Sequence, residues 1–222
     1  MTRAPWRSPL LPAVLGLGAG VLYANFVLDW VRRGSASLGH AVSELAAPGE
    51  SQAWVYRAGE VGCAALVLPL LPAVRAGLPA GPGREVVTGA TAVFAVGAAT
   101  AGLVPTPCGP GVVRDQVDRR PRSDLHDGAS IVSDSALYLG VAAAWATTRH
   151  RGPRWFHRAA GWVLCLGSGS SLVYGYARPS AGRRWVAGVS QRVNVVTISA
   201  WLGCLGVLAA RAARDRAARP PT

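Results

Sequence analysis

A run of acidic and histidine side chains opens one of the hydrophobic segments of this sequence. Residues 122–135 read RSDLHDGASIVSDS and place Asp124, His126, Asp127 and Asp134 beside long apolar stretches. Asp127 and Asp134 are seven residues apart, so a helix puts them on one face. Carboxyl and imidazole groups are side chains that commonly donate or accept protons in catalysis. This run is therefore the first candidate for a functional site.

Asp134 lies about 15 Å along a helix axis from Asp124, because each residue adds roughly 1.5 Å. That depth is near the middle of a membrane, where an ionisable side chain normally faces the bundle interior. Asp134 could handle protons, or it could form a structural pair with Arg57 or Arg192. For Asp124 and Asp127, N-capping and a favourable interaction with the helix dipole are an equally good explanation.

Two further side chains could take part in acid–base or nucleophilic chemistry with this run. His126 could be a general acid or base, or simply a hydrogen-bonding residue. Ser43 could be a nucleophile if folding brings His126 beside it. The alternative for Ser43 and the adjacent Glu44 is a capped interfacial helix, with His40 four residues before Glu44. The predicted catalytic residues are Asp134, His126, Asp127, Glu44 and Ser43.

Polar side chains cluster at one end of the predicted helices, which suggests a single polar cavity at that face. Arg57 and Glu60 are three residues apart and could instead pair with each other. For Arg192, a substrate phosphate contact and a structural ion pair are both open. The predicted substrate-binding residues are Arg57, Glu60, Tyr138, Tyr174, Arg192 and Asn194.

Long apolar runs must position these side chains. Half of the 222 residues are apolar and only 15% are charged. Runs of roughly 18 or more apolar residues indicate transmembrane helices. We predict an all-α, polytopic membrane bundle in a single domain, residues 10–210. Its six predicted helices are 10–28, 53–74, 86–104, 124–148, 157–177 and 188–210.

The net charge of +12 comes from arginine alone, since the chain has no lysine. The arginines lie between apolar runs rather than along one helix face, which favours contact with membrane lipid over nucleic acid. The Ala, Gly and Arg content is typical of a high-GC, actinobacterial genome. The four cysteines form no CxxC motif or His/Cys cluster, so we expect no metal site and no cofactor.

Six helices place both ends of the chain on one side of the membrane. Short arginine-bearing turns on that side and longer, acid-bearing loops on the other favour cytoplasmic termini. Residues 1–9 would be a cytoplasmic N-terminus and residues 211–222 a basic, frayed cytoplasmic tail. The polar cavity would then open at the outer face of the cell membrane.

Four short motifs occur in a characteristic order. They are Ser43-Glu44-Leu45, Pro105-Thr106, Leu125-His126-Asp127 and Gln191-Arg192. In this order the chain resembles the bacterial six-helix membrane family known as domain of unknown function 998, over about residues 10–210. The resemblance implies a small integral membrane protein of bacteria, without an established reaction, whose motifs fall on the outer face of the predicted topology.

Two classes of function fit these features. The first is a membrane enzyme that acts on a lipid or isoprenoid, with a protonated carboxylic acid such as Asp134 donating to an alkene or epoxide, as in terpene cyclases. The second is a non-catalytic membrane protein, such as a small transporter, a lipid-binding protein or an assembly partner. The sequence predicts no oligomeric state.

Overall fold

The computed structural model describes residues 8–107, 109–110 and 121–218. These residues form α-helices and short helical turns, with no strand among them. The α-helices are α1 (Leu11–Tyr23), α2 (Val27–Arg33), α3 (Ala53–Gly77), α4 (Pro82–Leu103), α5 (Pro121–Arg151), α6 (Arg154–Val163), α7 (Gly169–Ala177) and α8 (Arg184–Ala217). The turns are the 3-10 segments Gly34–Gly39, Val42–Ala46 and Ala181–Arg183, and the π-helical turn Leu164–Ser168.

Several of these helices are long and apolar enough to cross a membrane. In the described part of the chain they are Ala53–Gly77, Pro82–Leu103, Pro121–Arg151 and Ala181–Ala217. The pair Leu11–Tyr23 and Val27–Gly39, bent by 41°, makes a possible fifth. The prediction of an all-α membrane protein is confirmed, and the chain is a multi-pass integral membrane protein.

The predicted single helix over residues 10–28 is wrong, because the chain bends after Tyr23 and restarts as α2. Asn25 explains the position of the bend: its Nδ2 donates to the Tyr56 carbonyl oxygen of α3, 3.1 Å away. Asp29, one turn further on, is buried against the polar segment that follows α2, residues 34–52. In a straight helix these polar groups would face lipid without hydrogen-bond partners, which costs free energy.

The helices at the C-terminal end of the chain also differ in their bounds from the predicted ones. The predicted helix 157–177 begins at Arg154, and the π-helical turn interrupts it. The last helix begins at Arg184 rather than 188 and continues to Ala217, so most of the predicted frayed tail is helical. Residues 1–7 of the predicted N-terminus and most of the predicted loop 105–123 lie outside the described residues.

Helix α8 runs through the centre of the bundle. Its side chains Ile198, Trp201, Leu202 and Leu205 are fully or almost fully buried. Trp201 stacks on Phe156 of α6, with 5.0 Å between ring centres. This long central helix therefore provides one wall against which the other elements pack.

Glycines allow α1 and α8 to pack with their backbones almost touching. A Cβ placed on Gly16 would lie 2.5 Å from the Leu202 carbonyl oxygen and 2.7 Å from the Gly206 Cα. Close approach of small residues is a common way for helices to associate in membranes. The α1–α8 contact thus depends on the absence of side chains at these positions.

Gly16→Ala is expected to destabilise the bundle by about 1–3 kcal/mol, because the added methyl group overpacks the helix contact. Gly89→Ala is the matched control, since nothing lies within 4 Å of a Cβ at Gly89 of α4. Thermal unfolding of both proteins in the same detergent measures the difference. Equal melting temperatures for the two variants would contradict the close packing described above.

Candidate functional site

A cavity of about 550 Å³ opens at the end of the bundle that holds the polar segment after α2. Helices α5, α7 and α8 and the segment Val42–Ala46 enclose it. Its size falls within the range of ligand-binding pockets, roughly 300–1,000 Å³. We call it the large cavity. Its ionisable lining residues are His40, Glu44, His126, Asp127, Asp134, Tyr174, Arg178 and Arg184.

A second space of about 60 Å³ adjoins the large cavity inside the bundle, with room for a few water molecules. We call it the small chamber. Tyr23 of α1, Glu60 of α3 and Gly97 of α4 close it on the far side. The residues that line both spaces are Ser43, His126, Ser130, Asp134, Gln191 and Asn194. Where the sequence predicted one polar cavity, the structure has two adjacent spaces that share these lining residues.

Asp134 is held in the shared wall by uncharged partners. Its Oδ2 accepts a hydrogen bond from Asn194 Nδ2 at 2.8 Å, and the Tyr138 hydroxyl donates to Asn194 Oδ1. Its other oxygen, Oδ1, has no hydrogen-bond partner among the described residues. The predicted pairing of Asp134 with Arg57 or Arg192 is wrong. Asn194 therefore fixes the carboxyl group and leaves one oxygen available to a ligand.

His126 is buried and ties α5 to the end of α4. Its Nδ1 lies 2.8 Å from the Val104 carbonyl oxygen and 3.3 Å from that of Ala101. A carbonyl oxygen only accepts, so Nδ1 carries the hydrogen and Nε2 of the neutral ring is an acceptor. His126 thus has the predicted hydrogen-bonding role, and its Nε2 is unprotonated and can accept a proton.

Ser43 also lines both spaces, next to Glu44 in the segment Val42–Ala46. In the part of the chain that the structure describes, no hydrogen bond joins Ser43 to His126. The 3-10 turn at Val42–Ala46 is fixed instead by Gln191, whose Oε1 accepts from the Val42 N–H at 2.6 Å. The structure thus places Ser43 at the cavity without the base that a serine nucleophile needs.

Two acid–arginine pairs border the large cavity. Asp127 accepts from Arg178 at 2.7 Å, and Glu44 lies 3.7 Å from Arg184. The Arg178 guanidinium is also 5.8 Å from the centre of the Tyr174 ring. An ion pair, rather than an N-cap, therefore accounts for Asp127. Sequence reasoning treated the stretch with both arginines as a connecting loop and missed them.

Two of the predicted substrate-binding arginines line neither space. Arg57 donates through Nε to the Ala46 carbonyl oxygen at 2.8 Å, which ties α3 to the polar segment. Its predicted ion pair with Glu60 is wrong, since the two side chains form no salt bridge. Arg192 is 5% exposed and points away from both spaces into an ion cluster. The remaining predicted binding residues Glu60, Tyr174 and Asn194 do line one or both spaces, and Tyr138 holds Asn194.

The ion cluster is centred on Asp29, which sequence reasoning missed. Its carboxylate lies 2.9 Å from Arg33 Nε, 3.0 Å from His40 Nε2 and 3.7 Å from Arg192 Nη2. His40 thus pairs with Asp29 rather than with Glu44. The four-residue spacing from Asp29 to Arg33 is the one signal in the sequence that could have indicated this cluster.

Arg192 of α8 also binds the backbone of the polar segment. Its guanidinium donates to the carbonyl oxygens of Ser37, His40 and Gly188 at 2.5, 2.8 and 2.9 Å. Of the two predicted roles for Arg192, the structure shows the ion pair. Through these contacts α8 fixes the segment that forms one side of the large cavity.

Acidification is expected to weaken this cluster through His40. Burial lowers the pKa of His40 from its ordinary value of 6.5, and the contact with Asp29 offsets only part of this effect. The unfolded chain therefore takes up the proton more readily. The stability contributed by neutral His40 is complete above about pH 6.5 and is lost as the pH falls through the folded pKa.

The melting temperature should accordingly fall between about pH 7 and pH 5, and should fall less steeply in His40→Gln, which has no titrating ring. Thermal unfolding in detergent at several pH values measures both slopes. Parallel curves for the two proteins would show that His40 contributes nothing to the pH dependence.

The chain matches the model of a protein family. A family model described as "Protein of unknown function (DUF998)" matches residues 16–208. No curated protein and no solved structure matches the chain. The match covers the helices that form both spaces, and it confirms the resemblance indicated by the four short motifs.

Proposed function

The chain belongs to the DUF998 family, whose description names no activity, and we propose from its cavity that it is a membrane enzyme acting on a lipid or isoprenoid. The position of the Asp134 carboxyl group supports this proposal most directly. It lies in the wall of a ligand-sized cavity and is oriented through one oxygen by Asn194, and its second oxygen has no hydrogen bond to a described residue. A carboxylic acid in this arrangement can donate a proton to a bound ligand.

The proposed topology has six crossings, with both termini in the cytoplasm of a bacterial cell. The bent pair α1–α2 makes the first crossing, α3, α4 and α5 the next three, and α8 the last. The fifth is residues 154–177, whose 24 residues of continuous helical turns span about 36 Å. With the N-terminus in the cytoplasm, the segment that follows the first crossing lies outside, and the large cavity that it borders would open at the outer face.

The proposed reaction is an acid-initiated rearrangement or cyclisation. The Asp134 carboxyl transfers its proton to an alkene carbon, or to an epoxide oxygen whose C–O bond then breaks. A carbon–carbon bond closes onto the resulting cation, and a C–H proton leaves to the unprotonated Nε2 of His126. Substrate and product have the same atoms, so the reaction consumes no co-reactant.

The other lining residues would bind and orient the substrate. The polar end of an amphipathic substrate would lie at the side of the cavity that carries charged groups. These groups are the Arg178–Asp127 and Arg184–Glu44 pairs, with Tyr174 beside them. Arginine forks suit oxygen-rich groups such as hydroxyl, carboxylate or phosphate. Ser43 would act as a hydrogen-bonding residue rather than a nucleophile.

Incubation in D₂O tests this proposal. Membranes that contain the protein would be given prenyl alcohols, prenyl epoxides and membrane lipids, with membranes lacking the protein as the control. The expected product is an isomer of one substrate. It carries a single carbon-bound deuterium if an alkene is protonated, and an exchangeable hydroxyl deuterium if an epoxide is protonated. Saturable binding of a ligand without any conversion would favour the non-catalytic alternative, and uptake driven by a proton gradient would favour transport.

A further inference from the structure

The small chamber contains a second carboxyl group that the proposed reaction leaves without a role. Glu60 of α3 lines this chamber but not the large cavity, whereas Asp134 lines both. The chamber also borders His126. Three groups able to carry a proton thus surround one space that is large enough for a few water molecules.

Glu60 has no cationic partner in the part of the chain that the structure describes. Its Oε2 is buried and has no hydrogen-bond partner among the described residues. This oxygen packs against Gly102 of α4, where a Cβ would lie 3.2 Å from it. Arg57, one turn away, is occupied by the Ala46 carbonyl oxygen. Buried polar atoms are normally hydrogen-bonded, so a lone oxygen beside a polar chamber points to exchange with water or a proton there.

The two carboxyl groups share an environment of neutral groups. The titratable side chains that face Glu60 and Asp134 are Tyr23 of α1, Cys63 of α3, and His126 and Tyr138 of α5. Among the described residues, no arginine lines the chamber. Because no described cation stands between them, no ion pair fixes either carboxyl group in its charged form, and each can hold or release a proton.

We infer that Glu60 and Asp134 exchange a proton across the small chamber, and that Glu60 restores the acid form of Asp134 after each turnover. This inference rests on the proposed function for the turnover step. Glu60 gives its proton to the Asp134 carboxylate, and its own carboxylate takes one from protonated His126. The relay thereby restores a proton to Asp134 with no net consumption of acid, and its members exchange with solvent hydrogen between turnovers.

The proton exchange between Glu60 and Asp134 can be tested without a substrate. Infrared spectra of the full-length protein in lipid nanodiscs, recorded across a pH series, report the carbonyl stretch of protonated carboxyl groups. Glu60→Gln should remove one signal and displace the titration midpoint of the Asp134 signal by about one pH unit or more. Asp134→Asn should displace the Glu60 signal likewise, and Asp124→Asn, at an exposed position of α5, should displace neither.

Unchanged midpoints in folded Glu60→Gln protein would overturn the inference, whatever the substrate is. If the reaction is observed, a second readout applies. Glu60→Gln should complete its first turnover at the normal rate and then slow about a hundredfold, because only the return of the proton is impaired. A first turnover slowed to the same degree would contradict this role, since it would place Glu60 in the chemical step or in the fold. If the wild-type protein converts no substrate but the titrations of Glu60 and Asp134 still depend on each other, the proposed enzyme is overturned and the proton exchange between the two carboxyl groups stands.

Discussion

Asp134→Asn is expected to lower the rate of substrate conversion by at least about a hundredfold, because the amide has no proton to give in place of the carboxyl group. Asparagine has nearly the same shape as aspartate and can still accept from Asn194 Nδ2. The bundle should therefore fold, and binding of the substrate should persist. Rates of product formation by wild type and variant, at equal amounts of folded protein, measure the effect.

Two companion variants sharpen this result. Asp134→Glu keeps the carboxyl group but moves it, so it should retain part of the activity. Asp124→Asn removes a carboxyl group from the exposed first turn of the same helix and should leave the rate unchanged. Full activity in folded Asp134→Asn would show that Asp134 is not the acid.

The largest expected loss of stability comes from Arg192→Met. The variant removes two hydrogen bonds to the backbone of the polar segment and one to the Gly188 carbonyl oxygen of α8, and it leaves buried Asp29 without one of its cations. Breaking a buried ion pair by removing one partner costs about 3–5 kcal/mol. Thermal or denaturant unfolding in detergent measures the loss.

Arg33→Met is the matched control, since Arg33 also pairs with Asp29 but its side chain is 37% exposed. It should cost about 1 kcal/mol or less. Adding Asp29→Asn to Arg192→Met should restore part of the lost stability, because the double variant no longer buries an uncompensated charge. Equal losses for Arg33→Met and Arg192→Met would contradict the structural role assigned to Arg192.

The helical architecture could be predicted because apolar runs of membrane length leave few alternatives. The bend after Tyr23 could not be predicted, since its cause is a contact between Asn25 and the Tyr56 backbone across 31 residues of sequence. The interruption of the α6–α7 segment likewise has no signal in its apolar residues. Hydrophobicity sets which stretches are helices, whereas polar contacts between distant residues set where they bend.

Candidate site residues were predictable by type but not by partner. Asp134, His126 and Asn194 were predicted as polar groups within apolar helices, and they do share the two spaces. Asp134 contacts Asn194, and Arg192 contacts Asp29, instead of the predicted pairing of Asp134 with an arginine. These partners depend on how the helices are rotated and on the bend before α2. Arg178 and Arg184 were missed because their contacts with Asp127 and Glu44 join parts of the chain far apart in sequence.

In the proposed topology, Asp134 lines a cavity that opens to the outer face of the membrane. Single cysteines at positions 134, 57 and 192, in a chain with Cys63, Cys108, Cys165 and Cys204 replaced, can be treated in intact cells with a membrane-impermeant maleimide. Position 134 should be labelled, because it lies in the cavity wall, and positions 57 and 192 should be protected, because they line neither space. Protection of position 134 in folded protein, or labelling of it from the cytoplasmic side alone, would contradict the account.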